Sequence, residues 1–73
     1  MNKPQVGETY RHFKGNVITI IAIGKNTETL EEMVVYNHDG DIWIRPMEMF
    51  LSEVDHEKYP DVTQKYRFEK IEK

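Results

Sequence analysis

The chain has 73 residues, ten Lys/Arg against thirteen Asp/Glu, and a formal net charge of −3. That length admits one domain with a thin core, and the negative balance argues against a general nucleic-acid binder. Without a single cysteine, disulfides, thiolate metal ligands and a Cys nucleophile are excluded.

Thr9–Phe13 follows Gly7 and reads as the first strand, ending at the Lys14-Gly15-Asn16 turn. Val17–Ile23 (VITIIAI) is β-branched and apolar on both faces apart from Thr19, which marks a central strand of a tightly curled sheet. A polar connection from Gly24 to Leu30 follows. Thr29-Leu30-Glu31-Glu32 resembles a helix capping box, but the β-like Met33-Val34-Val35-Tyr36 after it points to a third strand over Leu30–Asn37.

Asn37-His38-Asp39-Gly40-Asp41 carries Asp-Gly, suited to a tight primed hairpin turn. The fourth strand is Asp41–Arg45. Pro46 lacks a ladder donor, so the chain must leave the sheet there or lie on its edge. Met47–Leu51 fits one helical turn, with Met47, Phe50 and Leu51 folding onto the sheet. Residues 52–64 are charged, contain Pro60 and form a surface loop. Tyr66–Ile71 alternates and is the last strand.

The expected architecture is all-β with a minor helical turn: one domain over 1–73, core about 7–71, built as a small five-stranded SH3-like barrel. Leu, Ile, Val and Phe make up about a quarter of the residues, above the roughly 20% below which charged chains stay disordered. The polar opening MNKPQVGETY and the lack of an apolar run of ~20 residues point to a cytoplasmic protein with no membrane partner. Charge is unevenly spread, +3 over residues 1–25, −8 over 26–57 and +2 over 58–73. Basic ends lying beside an acidic middle account for that without a partner.

TYRHFKGN at 9–16, ETLEEMVVYN at 28–37 and IWIRPMEMF at 42–50 together resemble domain-of-unknown-function family 1653, with YRF at 66–68 extending the likeness. The resemblance implies one compact bacterial cytoplasmic domain and supplies no catalytic residues. The turn at 38–41 is shorter than the loop common at that point of the family pattern.

No catalytic motif is found. His12, His38, Asp39, Asp41, Asp55 and His56 fall in no metal-ligand spacing. Ser52, the lone serine, has no nucleophile elbow around it. The chain is therefore expected to be no enzyme, to carry no cofactor, and to act as a binding module.

Protein or peptide binding is the first expectation, through Trp43, Arg45, Met47 and Met49 near the end of strand four. The competing structural reading is preferred for Trp43: in so small a protein it belongs to the core, with Ile42 and Ile44 under the 52–64 loop. Single-stranded nucleic acid is the alternative partner. It would use a basic-aromatic face of the terminal strands formed by Tyr10, Arg11, His12, Lys14, Tyr66 and Arg67, with Phe13 and Phe68 interleaved. Self-association through the apolar faces of Val17–Ile23 and Met33–Tyr36 is a further possibility.

Overall fold

A computed structural model describes residues 3–71. Five strands and one helical turn follow in the expected order: β1 Thr9–His12, β2 Val17–Lys25, β3 Glu32–His38, β4 Asp41–Pro46, α1 Met47–Phe50 and β5 Phe68–Lys70. They form one antiparallel sheet in the order β4-β3-β2-β1-β5. β2 is central, as its apolar sequence anticipates, and the terminal strands β1 and β5 are neighbours, with His12 opposite Phe68. β4 and β5 are the two edges, and among the described residues no ladder joins them. The sheet is thus open in its hydrogen bonding, with a seam between its edges.

A bulge explains the two-sided apolarity of β2. Ile20 pairs with Tyr36 and Ala22 with Val35, which leaves Ile21 as the extra residue. Ile18 and Ile20 face the core before it, and Ile23, opposite Val34, packs on the core after it. Inward positions therefore change parity, and alternation is lost in the sequence but kept in space. Val17 and Ile21 remain exposed.

Third-strand pairing begins at Glu32, later than the expected Leu30. Leu30 adopts φ +62° and is exposed. The Asn26 side chain accepts from the Glu28 and Thr29 amides, and this local turn takes the backbone out of the ladder. At the next hairpin Asp39 (φ +53°) and Gly40 (φ +83°) make the two-residue turn that Asp-Gly predicts, closed by His38 opposite Asp41.

Tyr10, Ile18, Ile20, Val34, Tyr36, Met47, Phe50 and Phe68 form the core. Phe50 is its centre: its ring stacks on Phe68 at 4.3 Å and meets Tyr10 edge-on at 5.2 Å. α1 lays Met47 and Phe50 over the sheet, while Met49 points to solvent. Residues 52–67 hold turns, bends and one isolated bridge but no helix or strand. Val54 anchors them, buried, its amide bonded to the Lys65 carbonyl. A bridge from Glu53 to Tyr66 precedes a last strand shorter than the expected Tyr66–Ile71. Among the described residues no helix is long and apolar enough to cross a membrane.

Two expectations for strand four are corrected. Trp43 is not core: it is 51% exposed, and Ile42 (57%) and Ile44 (63%) are open rather than covered by the 52–64 loop. β4 is the last strand of the sheet, so no strand among the described residues pairs with its free edge, and the core expected to include the lone tryptophan is centred on Phe50 instead.

Candidate functional site

The seam between β4 and β5 holds two adjoining hollows. One, of about 240 Å³, has walls of Ile18, Tyr36, Trp43 and Phe68, with polar groups from His12, Asn16, His38 and Arg45. The other, of about 410 Å³, is lined by Lys14, Lys58 and Arg67, the rings of Phe13 and Tyr59, and one carboxylate, Asp55. His12 and Arg45 line both and join them into one cleft.

Pairing across β4 and β3 aims the first hollow. Tyr36 opposes Trp43 and Val34 opposes Arg45, so Trp43 and Arg45 lie on the same face as the core residues of β3. Arg45 donates through Nε to the Tyr36 hydroxyl (3.4 Å), and its guanidinium sits 5.7 Å from the Phe68 ring centre. One side chain thereby spans the seam from edge to edge. Among the described residues His38 Nε2, which is buried, has no hydrogen-bond partner, Asp39 Oδ2 lying 3.5 Å away. Burial withholds that nitrogen from solvent, while the His38 side chain contributes to the wall of the hollow.

The second hollow depends on the loop after α1. The Asp55 carboxylate accepts from the Glu57 and Lys58 amides, and the Tyr59 amide bonds the Asp55 carbonyl, a turn that fixes Lys58 and Tyr59. Gln64 ties the loop's far end to the Arg11 and Tyr66 carbonyls. Arg67 is held by Ser52 Oγ at 3.2 Å. Lys14 and Lys58 each lie 5.5 Å from the Tyr59 ring centre, and Arg67 lies 6.0 Å from that of Phe13. Among the described residues none of Lys14, Arg45, Lys58 and Arg67 forms an ion pair. Four cations converge on rings, with one acid beside them.

His12 registers the resulting field. Burial, and then the charges of Arg67, Arg45, Lys14 and His38, hold its imidazole down to about 4. The Lys14 amide donates to His12 Nδ1 at 3.2 Å, which requires that nitrogen unprotonated and places the ring proton on Nε2. Stability follows with a definite sign. Below pH ~6.5 the unfolded chain takes up a proton at His12 that the folded chain refuses until about pH 4. Stability should therefore fall by about 1–2 kcal/mol as pH drops through that window, partial exposure screening the rest. His12→Gln should flatten that part of a denaturant-midpoint-against-pH curve. An unchanged slope would show that His12 carries none of it.

The two residue sets expected from sequence meet here in part. Trp43 and Arg45 from the first join His12, Lys14 and Arg67 from the second. Met47 is 6% exposed beneath the sheet and offers no surface, and Met49 is exposed but lines neither hollow. Tyr10 is core, its hydroxyl bonded to Glu8 and, through burial, pushed up to about 12, so it is no stacking platform. Arg11 is exposed on the opposite face, across from Val17 and Glu69, and Tyr66 lies outside the cleft.

Sequence reasoning misses Asn16, Lys58 and Tyr59 altogether, and weighs His38 only as a metal ligand. The alternation of β3 puts His38 on the inward face with Val34 and Tyr36, a signal that is readable. Lys58 and Tyr59 depend on how the loop folds back, and no periodicity reports that.

A family model described as "Protein of unknown function (DUF1653)" matches residues 8–70. No curated protein and no solved structure matches the chain.

Proposed function

The chain belongs to the DUF1653 family, and we propose that it is a non-enzymatic binding module on the plan of an SH3-like barrel, holding its partner in the seam cleft. The neighbouring terminal strands and the helical turn after β4 support that plan. The partner is single-stranded nucleic acid, engaged over one or two nucleotides. The observation that carries this reading is the junction, through His12 and Arg45, of an aromatic hollow with four cations that form no ion pair among the described residues. A base has a flat face for Trp43 and edges for His12, Asn16 and His38, and the adjoining phosphate meets Arg45, Arg67, Lys14 and Lys58. The net charge of −3 confines such binding to the cleft, and the affinity is accordingly modest. A chain without cysteine suits the reducing cytoplasm of a bacterium, which is the setting we assign.

Titrating Trp43 fluorescence with mixed single-stranded oligonucleotides tests the reading. Neutralising two phosphates gives a salt slope of about −1.4, so affinity should fall roughly sevenfold between ~50 and ~200 mM salt. No binding at ~50 mM would remove nucleic acid as the partner. A second reading then stands: an extended acidic peptide added to the free edge of β4, favoured by three consecutive exposed apolar residues there.

A further inference from the structure

The free edge of β4 carries the sequence Asp41-Ile42-Trp43-Ile44-Arg45, and none of these residues is buried. A long, exposed apolar edge strand is normally blunted by charge or covered. Here the charges sit only at the two ends, with opposite signs. We propose that β4 pairs antiparallel with β4 of a second copy, about a two-fold axis passing beside Trp43.

Register follows from the ladder. The two-residue turn makes His38–Asp41 the closing hydrogen-bonded pair of the hairpin. Alternation then directs the amides and carbonyls of Asp41, Trp43 and Arg45 toward β3, and those of Ile42 and Ile44 toward the free edge. Pro46 falls in the outward series, so its missing donor costs β4 nothing within its own sheet and ends any ladder added outside it. A second β4 must therefore place outward-directed residues opposite one another. Within the apolar stretch of the strand three symmetric registers do so, centred on Ile42, Trp43 or Ile44.

Only the register centred on Trp43 sets Asp41 of each copy opposite Arg45 of the other. It also pairs Ile42 with Ile44 twice, through four backbone hydrogen bonds. Centring on Ile42 or Ile44 leaves those charges without each other. The strand is thus complementary to itself in hydrogen bonding, apolar contact and charge, as an isologous interface requires. Five residues a side bury less than the ~1,200 Å² of a standard interface, so the dimer is weak and concentration-dependent.

Charge exchange tests this register. Asp41→Arg alone sets like charges opposite at both ends, as does Arg45→Asp alone, so each variant should sediment as a monomer at concentrations where the wild-type chain dimerises. Mixing the two should restore a dimer, because the two cations at the strand ends of one variant then face the two carboxylates at the strand ends of the other. Positions 41 and 45 are solvent-facing or partly so in each copy, and circular dichroism of each variant checks that the fold is kept. Trp43→Cys adds an independent readout, since directly opposed cysteines on the axis should oxidise to a disulfide-linked dimer in a chain with no other cysteine. A wild-type chain that stays monomeric at millimolar concentration overturns the proposal. So does a dimer that survives both charge variants, which would place the contact elsewhere, or a mixture that stays monomeric.

Discussion

Phe50→Ala should remove roughly half of the stability of the domain. Phe50 is 1% exposed and touches three other core aromatics, Tyr10, Tyr36 and Phe68, with ring centres 5.2, 6.1 and 4.3 Å away. Truncating a buried phenylalanine costs about 3–5 kcal/mol through lost transfer energy and the cavity left behind. A domain of this size typically has only about 4–10 kcal/mol of stability, at 0.05–0.15 kcal/mol per residue. The loss also reaches the cleft, because Phe68 forms both the wall of the aromatic hollow and the stacking partner of Phe50. Urea unfolding followed by Trp43 fluorescence measures it. A midpoint within experimental error of the wild type would show that α1 is an ornament on the sheet rather than its lid.

Arg45→Ala with Arg67→Ala should abolish oligonucleotide binding while the chain stays folded. Neither arginine belongs to the buried core, and neither is in an ion pair among the described residues. Among the described residues their side chains make one long, partly exposed hydrogen bond each, to the Tyr36 hydroxyl at 3.4 Å and to Ser52 Oγ at 3.2 Å, and one ring contact each. Each hydrogen bond to a charged group contributes about 1.5–3 kcal/mol, so losing both phosphate contacts weakens binding by more than a hundredfold. Removing two of the cations that depress His12 should at the same time raise its titration toward the ordinary value, which proton NMR of the imidazole reads. Full affinity in the double variant would place the phosphates elsewhere on the molecule.

Much of the fold is legible in the sequence, for identifiable reasons. Strand boundaries follow where turn chemistry is strict, as at Asp39-Gly40, and Pro46 ends β4 because proline leaves little choice. Thr29–Glu32 misleads in both directions: it resembles a helix cap and lies beside strand residues, while in the structure Thr29, Leu30 and Glu31 stay out of the ladder at a turn organised by Asn26 and Glu32 opens β3. The β2 bulge hides alternation behind an apolar run, so the central place read for that strand is correct while only one of its faces is buried.

The site is half legible. Aromatics and cations on the terminal strands can be named, but not sorted by face without register. Register sends Tyr10 inward and Arg11 to the far side, and leaves His12 at the seam. Trp43 misleads because size alone argues for burial, whereas position in the strand order decides it. A fourth strand that ends the sheet has no neighbour to cover it. The loop contribution from Lys58 and Tyr59 rests on the turn at Asp55 and on tertiary bonds from Gln64, and neither is written in local sequence.

Whether the partner sits in the seam between β4 and β5 is decided most directly by chemical-shift mapping. The labelled chain is titrated with a short single-stranded oligonucleotide at ~50 mM salt, where electrostatic binding is strong. Shifts concentrated at the Trp43 indole, the His12 and His38 rings and the amides of Lys14, Arg45, Lys58 and Arg67, with Arg11 and Tyr66 unmoved, are the predicted result. Shifts confined to the opposite face, around Arg11 and Val17, or a spectrum that does not change at all, would contradict it.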